Sequence, residues 1–243
     1  MRTLPCTIAL ALTFTTAATA QQLDLPRPSP VARITQNVGL TEITVDYSSP
    51  AVKGRKIWGG LVPYGEVWRA GANFPTKITF SKDVTIGTTP VPAGSYGFLV
   101  IPNKTAWTII LTKKPERAAA EYKPDADLVR IDVKPAATAL RERLQYSFAD
   151  FADQTHVTLE LEWEKLRAGL PIKLATAEQV EGSLKSYQEN MWSPLNQAAR
   201  YELEQAKNVP AGLTLVDQSL AIKETWFNTW TKAQLLAAKG DFK

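Results

Sequence analysis

The residues best equipped for recognition chemistry fall in one stretch, residues 48–73. There Trp58, Tyr64 and Trp68 stand among Lys53, Arg55, Lys56, Glu66 and Arg69, with five glycines and two prolines bending the backbone. A guanidinium presents a planar fork that matches carboxylate and phosphate, and it stacks on indole faces. Arg69, between Trp68 and Gly71 and close to Asn73, is therefore the leading candidate. With Arg55 and Lys56 beside it and Trp58 and Tyr64 as apolar platforms, the set Arg55, Trp58, Tyr64, Glu66, Trp68, Arg69 and Asn73 reads as an anion- or glycan-binding patch. A structural role competes with that reading. Ordered irregular backbone must satisfy its own polar groups, and Arg69 could do so by bridging carbonyls and Glu66, locking the loop to its domain.

Other chemistries find few residues. The one histidine, His156, sits on the polar side of an alternating run and has no second histidine to share a metal or a triad, so it reads as a surface strand residue. The one cysteine, Cys6, precedes an apolar run near the N-terminus. Asp46, Glu66 and Asp83 could supply the acid and base of a two-carboxylate hydrolase, but their spacing equally suits loop capping. Glu160, Glu162 and Glu164 alternate along one strand face and read as a solvated face. The glycines lie outside any strand–G-x-x-x-x-G-K-[ST]–helix context, so they serve turns rather than phosphates. No metal and no cofactor is called for.

The elements that must hold the patch are mostly strands. Alternation at residues 41–48 sends Ile43, Val45 and Tyr47 to one side and Thr44, Asp46 and Ser48 to the other, and 31–38 pairs with it through a turn at Gly39. Further β-runs are read at 76–81, 83–86, 96–101, 107–113, 128–133, 141–148 and 155–166, with 114–127 as a long loop containing at most a helical turn. In the last run Val157, Leu159, Leu161 and Trp163 share a face. This many short strands between turn signals predicts an antiparallel β-sandwich or jelly roll over residues 31–168.

After Gly169 the composition changes, and residues 169–243 predict a small α-helical region. Thr176 and Gln179 form a capping box for a helix to about 190. Ser193-Pro194 opens a second to about 207. Residues 208–210 break it, and two more helices cover about 211–223 and 225–239, stopping at Gly240. Trp192 and Trp226 lie thirty-four residues apart, as do Ala199 and Ala233. That period, with small residues where helices touch and G-D-F at the final turn, resembles tetratricopeptide repeats. Because several repeats are needed for stability, these helices are expected to lean on the β-domain. Trp192, Trp226, Phe227 and Trp230 are expected in the helical core.

The first twenty residues read as a secretory signal: Arg2, an apolar run over 8–14, and Ala18-Thr19-Ala20 as a cleavage site, making the protein periplasmic or secreted. Residues 21–30, with L-P-R-P-S-P, read as a Pro-rich tether. Loss of Arg2 lowers the formal charge from +4 to +3, too mild to suggest nucleic acid as a partner, and no later segment is apolar enough for a membrane helix.

The run Y-S-S-P-A-V-K-G-R-K-I-W-G-G-L-V-P-Y-G-E-V-W-R-A-G-A-N, followed by T-K-I-T-F-S-K-D-V and V-P-A-G-S-Y-G-F, resembles the exported bacterial family known as domain of unknown function 2911, over about residues 29–166. The resemblance implies an exported β-domain, commonly with a helical, repeat-like C-terminal region, and assigns no activity. The functional expectation is thus an exported, non-enzymatic binding module with an Arg/Trp patch on its loop and C-terminal helices that dock a protein or envelope component. The alternative is a cofactor-free hydrolase of envelope glycan acting through paired carboxylates.

Overall fold

The computed structural model describes residues 25–116 and 119–240; the signal segment read at 1–20 lies outside them. Alternating apolar residues make two antiparallel sheets whose inner faces form one core. The larger sheet has the order β1-β2-β3-β6-β7-β8, from β1 (Val31–Val38), β2 (Thr41–Ser48), β3 (Lys77–Phe80), β6 (Gly94–Pro102), β7 (Trp107–Thr112) and β8 (Asp127–Val133). The smaller runs β5-β4-β10-β9, from β5 (Thr89–Val91), β4 (Val84–Ile86), β10 (His156–Leu174) and β9 (Ala136–Ala152). Strands β1 and β2 meet through the Gly39 turn, with Val38 opposite Thr41 and Gly39 at φ +56°.

The predicted alternation holds in β2, where Ile43, Val45 and Tyr47 are buried, except that Ser48, expected on the outer side, is buried as well, and in β10, where Val157, Leu159, Leu161 and Trp163 are buried. They meet Phe80, Phe98, Trp107, Ile109 and Leu111 of the larger sheet in a single apolar core. Removing that area from water is the main force holding the sheets face to face. Two strands are much longer than the sequence pattern suggests. β9 and β10 extend beyond the expected 141–148 and 155–166 and stay paired from His156 opposite Ala152 to Arg167 opposite Ala136. Arg141 of β9 bonds Glu162 (2.9 Å) and, within β10, Arg167 bonds Glu160 (3.1 Å), so two of the three glutamates expected on a solvated face are ion-paired. The expected loop at 114–127 holds two short 3-10 turns, Ala119–Glu121 and Pro124–Ala126.

The C-terminal helices are α1 (Thr176–Asn190), α2 (Trp192–Tyr201), α3 (Val209–Ile222) and α4 (Trp226–Lys239), with a π-turn at Glu202–Ala206 after α2. Several helix signals resolve differently from their sequence reading. Thr176 is not a cap: its hydroxyl donates to the Gln154 carbonyl (2.6 Å), and the Gln179 amide reaches Thr41 (3.3 Å), so the expected capping box instead ties the first turn of α1 to the sandwich. Ser193 is not a cap either, because α1 and α2 are separated by Met191 alone, itself helical at φ −60°. The capping box present is Thr225 with Asn228, at the start of α4.

Instead of leaning on the sandwich, α2–α4 have a small core of their own, Ala199, Val216 and Leu235. It is supplemented by buried polar groups: Asn228 donates to Ser219 (3.0 Å) and the Lys223 carbonyl (2.8 Å), and Ser219 donates to the Trp192 carbonyl (2.7 Å). This turns Asn228, Thr231 and Leu235 inward on α4 and leaves Trp226, Phe227 and Trp230 exposed, against the expectation that they form the core.

Candidate functional site

The long segment between β2 and β3 bridges the two sheets, which is why so irregular a stretch is ordered. At its start, Val52 N donates to the Glu142 carbonyl of β9 (2.7 Å) and Leu144 N donates to the Pro50 carbonyl (2.9 Å). Near its end, Trp68 exchanges both backbone bonds with Val100 (2.8 and 2.9 Å), continuing the ladder of β6 beyond the end of β3. Between these anchors Gly60 makes a tight turn, so close that a Cβ there would lie 2.5 Å from the Lys56 carbonyl oxygen.

Four tryptophans meet beneath this loop. Trp58 lies 4.3 Å, ring centre to ring centre, from Trp107 and 6.0 Å from Trp163, and Trp68 stacks on Trp163 at 5.8 Å with 18° between the planes. The indole N–H of Trp68 donates to the Gly71 carbonyl (3.2 Å). Those of Trp58, Trp107 and Trp163 are buried without an acceptor among the described residues, a concentration of unsatisfied donors that interiors normally avoid. Trp163 stands at a register slip between β9 and β10: Glu162 faces Gln145, but Glu164 faces Arg141. Such bulges re-aim side chains.

Above Trp68 and Trp163 opens a cleft of about 290 Å³, walled by Arg55, Arg69, Asn73, Leu61 and Ser29 among others. Backbone geometry sets both arginines. Arg55 donates from Nε to the Val52 carbonyl (3.0 Å) and from Nη2 to that of Ala51, so it is Arg55 that clasps the loop in the manner expected of Arg69. Arg69 is exposed and donates to the Asn73 carbonyl (2.7 Å); no bond joins it to Glu66 among the described residues. Ala70 and Asn73 are both left-handed, at φ +53° and +56°. That backbone costs about 1–2 kcal/mol for a residue with a Cβ. It is held at Ala70 because the buried carbonyl accepts from Tyr146 Oη (2.8 Å) and Thr76 Oγ1 (3.2 Å). Burial, and secondarily the Tyr47 phenol, raises the Tyr146 hydroxyl well above the ordinary tyrosine range, so it stays a donor. The last residues of the Pro-rich stretch are docked here too: the Ser29 carbonyl accepts from Asn73 Nδ2 (3.0 Å), and Arg27 lies over the Phe74 ring at 5.2 Å.

Of the seven residues singled out from sequence, Arg55, Trp68, Arg69 and Asn73 line this cleft. Trp58 does not. It is buried beneath, as part of the core. Tyr64 covers Gly59, its ring 2.5 Å from where a Cβ would stand, and Glu66 is exposed and outside the cleft wall. Trp163 was missed as a site residue because its alternation in β10 marks it only as inward-facing; nothing local announces the bulge.

The candidate carboxylates are dispersed. Asp46 is held by Arg33 and by Lys77 (3.7 Å) on the larger sheet, and Asp83 accepts from Ala93 N (2.7 Å) in a turn. No acidic residue lines the cleft, so a two-carboxylate hydrolysis has no acid–base pair there. His156 bonds its neighbour Thr155 (2.8 Å) on an exposed strand end. Among the described residues no group of three His, Cys, Asp or Glu side chains could hold a metal ion, and no helix is long and apolar enough to cross a membrane.

A family model described as "Protein of unknown function (DUF2911)" matches residues 29–172, which include the bridging loop, the cleft and nearly all of both sheets. The chain belongs to the DUF2911 family. No curated protein and no solved structure matches it. The family region begins at Ser29, whose carbonyl is bonded by Asn73, and ends within β10, so the docked Pro-rich residue and the tryptophan floor fall inside it.

Proposed function

We propose that this chain is an exported binding protein, released to the periplasm or medium by cleavage after Ala20, whose cleft takes an acidic sugar of an envelope glycan. One observation carries the reading: two guanidiniums, Arg55 and Arg69, flank a cleft floored by Trp68 and Trp163 and walled by no carboxylate. Neither arginine pairs with an acidic side chain among the described residues, and a guanidinium carries five donors, more than their carbonyl contacts use. A carboxylate held bidentately by such a fork gains both charge and geometry. The sugar's apolar face rests on the half-buried Trp68. At about 290 Å³ the cleft is at the small end of ligand sites, which run from about 300 to 1,000 Å³. That size suits a single sugar unit rather than a long polymer groove. The tetratricopeptide-like helices are, in this reading, an interaction appendage, and the binding needs no cofactor.

The test is titration with glucuronate, glucose and inorganic sulfate, followed by calorimetry and by the emission of the buried tryptophans. Glucuronate binding that glucose does not match, lost in Arg69→Ala with a melting point within about 2–4 °C of the parent, supports the proposal. Equal binding of glucose, or glucuronate binding that survives Arg55→Ala/Arg69→Ala, overturns it. A large fall in melting point for Arg69→Ala would show that Arg69 serves as a structural clasp.

A further inference from the structure

Helix α1 is fifteen residues long and buries none of them. A helix of that length is marginal in water on its own, and beyond the first turn, tied to the sandwich by Thr176 and Gln179, none of its surface is buried. Its apolar residues are not scattered: Val180, Leu184 and Tyr187, with Met191 just past its end, follow one another at intervals of four, three and four, the seam of a helix–helix contact, and all are exposed. Helix α4 carries a second seam of identical spacing, Trp226, Trp230, Ala233 and Ala237, also exposed, with the Trp226 and Trp230 rings stacked at 5.9 Å. No charged residue interrupts either seam.

We propose that these two seams are the halves of one self-association surface, α1 of each copy packing on α4 of a second copy about a two-fold axis. Three features of the helices select this pairing over like-with-like contacts. The first is charge. Glu178, Glu181 and Glu189 against Lys185 leave α1 at −2, so α1 on α1 repels, whereas α4 has no acidic side chain to repel α1, its Lys232 being paired with Asp217 of α3 (2.8 Å). The second is volume. Laid parallel, the seams place Trp226 and Trp230 opposite the smaller Val180 and Leu184, and the larger Tyr187 and Met191 opposite Ala233 and Ala237, filling each layer evenly.

The third is area. The large seam residues, with Phe227 beside them, are between 41% and 70% exposed. At about 150–250 Å² for a fully exposed large side chain, they offer about 700 Å² per copy. A reciprocal pair then buries about 1,400 Å², within the roughly 1,200–2,000 Å² of stable interfaces. Either seam used alone with its own kind would bury about half of that and leave the other bare. The surface is separate from the cleft, and its success or failure does not depend on what the cleft binds.

Sedimentation equilibrium of the full chain should give twice the chain mass. Leu184→Glu and Trp230→Lys, both at exposed positions, should each sediment as monomers with the circular dichroism of the parent, their melting points no longer rising with protein concentration. Mixing the two variants should restore the dimer, because the new glutamate of one copy then faces the new lysine of the other while the second contact stays native. A monomeric parent overturns the proposal, including one that folds α4 back on its own α1 or that binds vesicles of phosphatidylglycerol and phosphatidylethanolamine as a monomer. A dimeric parent whose two variants stay monomeric when mixed overturns the α1–α4 pairing.

Discussion

Replacing Tyr146 by Phe removes a single hydroxyl from the support of the cleft. That hydroxyl donates to the Ala70 carbonyl at 2.8 Å, in a place where Ala70 is held left-handed next to Arg69. The carbonyl keeps its second donor, Thr76 Oγ1 at 3.2 Å, so it is not orphaned, and the ring still packs on Tyr47 and Phe98. The expected loss at neutral pH is therefore that of one net hydrogen bond in a buried site, about 1–1.5 kcal/mol. For a chain of this size that is a fall of a few degrees in melting point, at about 2–4 °C per kcal/mol. Alkaline pH gives a sharper readout. Because burial raises the folded-state pKa of Tyr146 well above the unfolded value, its contribution is fully present below the unfolded pKa of about 10. It is lost as pH rises from there through the folded value, at about 1.4 kcal/mol per pH unit. Tyr146→Phe has no such proton to lose. The difference in stability between parent and variant, followed by denaturant unfolding from pH 8 upward, should shrink above about pH 10, other titrating groups cancelling in the comparison. A difference that stays constant across that range would refute the account of a buried, neutral donor holding Ala70.

Two further substitutions test other parts of the structure. Gly60→Ala drives a Cβ to 2.5 Å from the Lys56 carbonyl oxygen, a backbone atom that cannot swing away, and should cost about 1–3 kcal/mol in a thermal melt while leaving the rate of proteolysis in the helices unchanged. Asn228→Ala removes the donors to Ser219 and Lys223 together with half of the α4 capping box, a loss of about 2–3 kcal/mol confined to α2–α4. Hydrogen exchange should quicken across those helices and leave β7 and β10 protected, since the two cores are separate.

Sequence alone determined whatever rests on local period and composition. Alternation in residues such as Ile43, Val45 and Tyr47 dictated strands, because a strand with one wet face cannot satisfy burial any other way. The same logic marked Trp163 as inward and placed four helices after the sandwich. The concentration of arginine and tryptophan in one ordered loop singled out Arg55, Trp68, Arg69 and Asn73, which are neighbours in the chain and remain neighbours in space.

Only the tertiary structure decided what each of those side chains faces. Trp58 and Trp68 are ten residues apart in similar surroundings, yet one is buried in the core and the other floors a cleft, because Trp68 pairs with Val100 of β6 while Trp58 inserts toward Trp107. Arg55, not Arg69, clasps two carbonyls, since the bend that brings Ala51 and Val52 under its guanidinium depends on anchoring to β9. In the helices the aromatic stripe of α4 has a sound amphipathic period, but period identifies a face and not what covers it. Asn228, bonded to Ser219 on the preceding helix, turned that stripe outward. Burial is a property of pairs of elements, and a one-dimensional pattern records only one member of each pair.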